Sequence, residues 1–229
     1  MNDRRPRRTA LSRSGAKDSS LALWTLREEQ RLEPETLITT VTEAYARISM
    51  HGVRRELLVR QARAIGVPVL EIAIPVGCTN DEYERRMAAA FAADPLRDVD
   101  IVAFGDLFLA DIRAYRETRM SSIGKEASLP LWHRDTGVLA REFIAAGFAA
   151  LIVCLDPAQL DPSFAGRAFD EALLADLPPG VDPCGENGEF HTFVSAGPIF
   201  SAPLAIEVGE TVERDGFVFT DVRAQPGAV

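Results

Sequence analysis

The chain has 229 residues, enough for one large domain or two small ones, and its 47% hydrophobic and 26% charged content is that of an ordinary globular protein. A formal net charge of −9 argues against a large nucleic-acid footprint, which needs a basic face. No apolar run is long enough to cross a bilayer, and Arg4, Arg5, Arg7 and Arg8 lead the chain without an apolar signal core, so a soluble, cytoplasmic protein is expected. Cys78, Cys154 and Cys184 are far apart and form no CxxC pair. They read as buried thiols in a reducing compartment, with Cys184 the one among polar neighbours.

In chain order, TALS (9–12) predicts a short strand and SLALWTLREEQ (20–30) a helix. TLITTVT (36–42) is β-branched and strand-like. VRRELLVRQARAI (53–65) repeats apolar residues at Val53, Leu57, Leu58, Ala62 and Ile65, one face of a helix. PVLEIAI (68–74) predicts a strand, DEYERRMAAAFAA (81–93) a helix, DIVAFG (100–105) a buried strand and LFLADIRAYRETRM (107–120) a helix. Strand and helix alternating in this way imply a parallel sheet with helices on both faces. Beyond about residue 125 come a helix near 135–146, the strand AALIVCL (149–155), a short helix at 168–177 and the turn-rich PPGVDPCGENGE (178–189). EFHTFV, PLAIEV and GFVFTDV then read as strands. A boundary is expected at 125–132, separating 8–128 from 129–229.

SGAKDS (14–19) falls between the first strand and the first helix and holds one of only two lysines, Lys17. Free amides and the positive end of the helix dipole favour an anion at such a junction. Ser14, Gly15, Ala16, Lys17, Asp18 and Ser19 are therefore a candidate phosphate cradle, and a serine-capped helix start is the alternative. ISMHGV (48–53) and FGD (104–106) should reach the same sheet edge. His51 either sits on a nucleotide or bonds its own loop. Asp106 either orients Mg²⁺ or caps the following helix, and these two roles can coexist. In CGENGEFHTFV (184–194), a period of two puts Glu189 and His191 on one face with Phe193, and Phe190, Thr192 and Val194 on the other. With Glu186 from the loop, these groups can bind a cation or move protons, or they are solvated charges on a hairpin.

SGAKDS resembles the pyrophosphate-binding loop of the PP-loop ATP pyrophosphatases, usually SGGKDS, with Ala16 for the second glycine. Together with RISMHGVRRELL, VAFGDLFLADIRAYRETR, LPLW and CGENGEFHTFVSAGPIF, it makes the chain resemble the diphthine–ammonia ligase family from about residue 8 to 222. Asn187 stands where a glycine is common. The resemblance implies an open parallel α/β sheet of the adenine nucleotide α-hydrolase-like type and a smaller C-terminal α/β domain. It implies ATP and Mg²⁺, adenylation of a carboxylate with release of pyrophosphate, and transfer of ammonia. By motif, Ser14 to Ser19 would hold the phosphates, with Gly105 and Asp106 bordering them. Glu186, Asn187, Gly188, Glu189, His191 and Thr192 would line the acceptor side. Lys17, Asp18, Glu189 and His191 would be catalytic, with Glu189 or His191 deprotonating ammonium. The implied partners are ammonia and a small-molecule or protein carboxylate, with a homo-oligomer allowed and neither nucleic acid nor membrane. Two further readings stay open: a nucleotide-binding or sensing protein without turnover, and a tRNA thiolase. The second polar cluster weighs against the first; the missing CxxC and the negative charge weigh against the other.

Overall fold

A computed structural model describes residues 7–43, 47–48 and 52–225 of the chain. His51 lies outside the described residues. Six strands build the first sheet: β1 (Thr9–Ser12), β2 (Pro34–Thr42), β3 (Arg47–Ile48), β4 (Val69–Ile74), β5 (Ile101–Ala103) and β6 (Glu126–Ser128). Five of them run parallel in the order β4-β2-β1-β5-β6, and β3 lies antiparallel against the end of β2. The helices α1 (Lys17–Glu28), α2 (Arg55–Ile65), α3 (Asn80–Phe91) and α4 (Ala110–Ser122) connect these strands.

Strand alternation sorts the core into two layers. Leu11, Leu37 and Ala103 point to the α1 and α2 side, where Leu23 and Leu26 cover them. Ala10, Ile38 and Val102 point the other way, to Phe91 and Met120 of α3 and α4. The result is a doubly covered parallel α/β sheet, as the alternation of runs predicts.

The second part contains α5 (Thr136–Ala145), β7 (Ala149–Leu155), α6 (Glu171–Asp176), β8 (Phe190–Ala196), β9 (Ile206–Arg214) and β10 (Phe217–Ala224). Its four strands form an antiparallel sheet in the order β8-β7-β10-β9. Phe143, Phe148, Phe190 and Val194 from this part join Leu11 and Leu23 in one continuous core. Phe193, Val153 and Val222 meet Leu57 and Leu58 of α2 in another cluster. Arg54, at the start of α2, pairs with Asp221 of β10 through Nε and Nη2 at 2.9 and 2.8 Å. The second sheet is thereby seated against the α1–α2 face of the first.

Several boundaries differ from the sequence expectation. The helix expected from 107 starts at Ala110, because Leu107 is buried and its carbonyl accepts from His133 N–H at 2.9 Å. The strand expected at PLAIEV starts at Ile206 and runs on to Arg214. Pro203 cannot join a ladder, whereas Asp215 and Gly216, with φ of 53° and 81°, form the tight turn that sets the register with β10. β3 and β6 are short and carry no strand pattern of their own. Among the described residues, no helix is long and apolar enough to cross a membrane.

Candidate functional site

The SGAKDS loop leaves β1 and turns directly into α1, which begins at Lys17 inside the motif. Gly15 makes that turn at φ +84°, and a Cβ there would lie 2.8 Å from Gln61 Oε1. Gln61, fully buried on α2, donates through Nε2 to Gly15 O at 3.0 Å and to Val194 O at 2.5 Å. From β8, Val194 N–H donates to Gly15 O at 3.1 Å, and Thr192 Oγ1 accepts from Lys17 N–H at 3.1 Å. The loop is thus fixed by α2 and by the second sheet. It is not capped locally: Ala16 is the N-cap and offers no side chain, while the hydroxyls of Ser19 and Ser20 donate to Ala16 O at 3.0 and 2.9 Å. The serine-capped helix start is therefore not what forms. The first-turn amides of Asp18 and Ser19 have no partner within the helix and sit at its positive end.

A cleft of about 310 Å³ opens at this helix start. It lies where β1 and β5 run side by side, Leu11 opposite Ala103. Connections from these neighbours depart in opposite directions across the sheet, the usual position of a ligand crevice in open α/β folds. Gly105 and Asp106 border it, and a Cβ on Gly105 would stand 3.0 Å from the backbone carbon of Asp18. Asp106 lies three residues short of the α4 N-cap, Leu109, so it does not cap that helix. Its Oδ2 is buried without a hydrogen bond, 3.5 Å from Arg116 Nε, which is also buried and unbonded.

Lys17 is the central charge. Its side chain is only 4% exposed and its Nζ lies 2.5 Å from Asp18 Oδ1. Burial by itself would lower its pKa, but the charge and hydrogen bond of Asp18 outweigh that and hold it above the ordinary lysine value. Glu186 enters from the loop between α6 and β8 and faces the same cleft. Burial, together with the carboxylates of Asp18, Asp182 and Asp106, pushes it up to about 8 despite Lys17. Cys184 also lines the cleft, but burial pushes its thiol up to about 12 and its Sγ donates to Thr136 O at 3.3 Å. It is a packed thiol, not a nucleophile.

A pH dependence follows from Glu186. Its proton leaves near 4.5 in the unfolded chain and near 8 in the fold. Between those values the folded state holds the extra proton, so stability falls as pH rises through the window and levels off above it. Glu186→Gln removes this fall, worth on the order of 2 kcal/mol after allowance for screening at the open cleft. In metal-free and nucleotide-free buffer, calorimetry from about pH 5 to about pH 9 should show the variant gaining roughly 4–8 °C on the parent at the alkaline end. Parallel curves would remove the buried-carboxylate account.

Glu189 corrects the sequence expectation. It precedes β8, and its carboxylate turns into the loop, away from the cleft. Oε1 accepts from Asp182 N–H at 2.9 Å and Asn187 Nδ2 at 3.0 Å, and Oε2 accepts from Asn187 N–H at 2.9 Å. Burial would raise its pKa, but these donors hold it below the ordinary glutamate value. A carboxylate so placed is a poor general base and a good loop anchor. Asn187 is its partner and likewise does not line the cleft. His191, Gly188 and Thr192 do line it, so the expected Glu189–His191 pair is split.

One cleft thus joins the helix start of the first sheet to the loop and strand of the second, and both halves have counterparts among known proteins. The family described as diphthamide synthase N-terminal domain matches residues 7–132, and the diphthamide synthase C-terminal domain matches residues 135–223. The chain belongs to the diphthamide synthase family. It is similar to diphthine–ammonia ligase of Rattus norvegicus and of Homo sapiens, each 29% identical over 154 residues, which is 63% of this chain and 56% of the relative. The relative of that name from Schizosaccharomyces pombe is 26% identical over 125 residues, 51% of this chain and 20% of its own length. The chain therefore matches about half the length of the mammalian relatives.

Three contributors in this family member were not singled out from sequence: Gln61, Arg116 and Asp182. Asp182 carried the clearest signal, because Asp-Pro-Cys-Gly is turn chemistry: its Oδ1 accepts from Cys184 N–H at 2.8 Å and Glu186 N–H at 3.3 Å. Gln61 and Arg116 gave none, being ordinary helix residues until the fold brings the cleft to them. The donor set fits a metal held mainly through phosphates. Among the described residues no three His, Cys, Asp or Glu side chains converge on one point, yet Asp106 keeps a buried oxygen unbonded and carboxylates crowd Glu186.

Proposed function

We propose that this chain is an ATP-dependent amide ligase that adenylates a carboxylate and passes the acyl group to ammonia, with residues 8–128 holding the nucleotide and 129–229 closing the acceptor side. The observation that carries the reading is the buried, positively charged Lys17 at an uncapped helix start, facing a cleft built from both sheets. The first-turn amides of α1, that of Ser19 included, and the Ser14 hydroxyl bind the β- and γ-phosphates, and Lys17 offsets charge on the departing pyrophosphate. Gly105 lets the β5–α4 loop approach the same phosphates. Asp106, with the phosphate oxygens, would hold Mg²⁺, which supplies Lewis-acid polarisation of the α-phosphate.

In the first step a carboxylate oxygen attacks the α-phosphorus, the bond from that phosphorus to the bridging oxygen breaks, and pyrophosphate leaves. In the second, ammonia attacks the acyl carbon, AMP leaves, and the amide nitrogen loses a proton. His191, which lines the cleft, receives that proton. Glu186 holds its own proton near neutral pH and lets an anionic acceptor enter.

The test is product analysis of ATP incubated with the protein, Mg²⁺ and ammonium, with and without a pool of cellular carboxylates. AMP and pyrophosphate in equal amounts, appearing only with the pool, are expected. ATP bound but left intact in every arm would replace this reading with that of a nucleotide-binding protein.

A further inference from the structure

Behind the phosphate cleft lies a second cavity, of about 320 Å³, between α3 and α4. Its walls include the buried Phe91, Phe104 and Met120, with Met87 packed against them, and the more exposed Tyr115 and Ile123. The space exists because α3 presents Ala88 to it where a large side chain would fill the gap. Its volume is that of a small-molecule site, and two methionines give it an adaptable apolar wall.

Phe104 and Arg116 line both cavities and form the wall between them. The Arg116 guanidinium lies over the Phe104 ring, 4.6 Å from its centroid. Its Nε has no hydrogen bond although it is buried, and the Asp106 oxygen 3.5 Å away has none either. Arg116 is ion-paired with Asp106 at that distance, and the other charged groups of this cavity are paired as well. Glu84 accepts from the Tyr115 hydroxyl and pairs with Arg119 Nε at 3.0 Å, and Arg85 pairs with Glu82. Arg116 is thus a cation whose one carboxylate partner, Asp106, stands at 3.5 Å without a hydrogen bond, at the point where an apolar cavity meets the phosphate site.

We infer that this cavity binds a small apolar carboxylic acid, its hydrocarbon body between α3 and α4 and its carboxylate against Arg116, and that this acid is the acceptor. The second clause rests on the ligase reading above, which needs a carboxylate brought to the α-phosphate. Held at the shared wall, the carboxylate oxygen is at the border of the cleft where it displaces pyrophosphate. Desolvation by the apolar walls strengthens the guanidinium–carboxylate contact. A cationic acceptor is disfavoured, since Arg85, Arg116 and Arg119 outnumber Glu84 among the lining residues.

Phenylbutyrate, phenylbutanol and phenylbutyl trimethylammonium, which share a hydrophobic body and differ in charge, test this by titration calorimetry without nucleotide. Phenylbutyrate is expected to bind at least about tenfold tighter than the other two. Arg116→Gln should erase that preference while leaving phenylbutanol binding as it was. Ala88→Trp, at an exposed position of α3, should weaken phenylbutyrate and phenylbutanol at least about tenfold by filling the space. The same variant should leave affinity for a fluorescent ATP analogue unchanged. Equal binding of acid and alcohol, preference for the ammonium compound, no binding of any probe, or indifference to Ala88→Trp would each overturn the inference. Acid binding as described, in a protein that never cleaves ATP, would keep the cavity's ligand and remove the ligase reading alone.

Discussion

Lys17→Ala is expected to cut formation of AMP and pyrophosphate by about a hundredfold to a thousandfold, the usual cost of removing one preorganised charge from a transition state. The ammonium is buried to 4% exposure, yet Asp18 keeps it protonated. On the proposed function it would meet the phosphates as a fixed charge in a site of low dielectric, where it is worth far more than in water. Pyrophosphate gains charge as it leaves, so the effect should fall on kcat more than on ATP affinity. Lys17→Arg should not rescue: the slot beside Asp18 and Cys184 is fitted to a slender ammonium, and a guanidinium is planar and broader. The measurement is pyrophosphate release in the presence of the carboxylate pool, with melting curves run in parallel to show that both variants fold. Parent-like turnover in Lys17→Ala would end the phosphate role of the loop.

The parts legible in the sequence are those with a local cause. The short apolar run TALS, the β-branched run TLITTVT and the 3.6-residue period from 53 to 65 depend only on neighbouring residues, and they place the parallel sheet correctly. SGAKDS is legible for the same reason, since a glycine turn, a lysine and a helix start are neighbours in the chain. What escaped has causes far away in sequence. The cap on Lys17 N–H comes from Thr192, 175 residues on, and the Gly15 carbonyl is held by Gln61, 46 residues on. No local pattern marks a threonine or a glutamine for such work. β6 (Glu126–Ser128) has no strand signature because its pairing with β5 forms it, not its own side chains. Strand alternation also begins one residue later than the sequence pattern implies. β8 starts at Phe190, so Glu189 obeys the Asp182 turn and not the strand period.

That misplacement leads to the second large effect. Glu189→Ala is expected to destabilise the chain by about 3 kcal/mol, because it leaves the donors of Asp182 and Asn187 without an acceptor inside a nearly closed loop. For a chain of this size that is a fall in Tm of roughly 6–12 °C. Glu189→Gln should be milder but still costly. Its amide nitrogen would face the Asn187 N–H that Oε2 now accepts, setting donor against donor. The loop carries Glu186 into the cleft and leads into the strand that bears His191 and Thr192, so Glu189→Ala should also weaken nucleotide binding. A general base behaves differently. Its removal would abolish turnover, leave Tm and nucleotide affinity in place, and delete an ionisation from the pH–rate profile. Melting curves, nucleotide affinity and a pH–rate profile on Glu189→Ala and Glu189→Gln therefore separate the two roles. A large fall in Tm with an unchanged profile is the outcome this geometry requires. An unchanged Tm with turnover lost would return Glu189 to the chemistry.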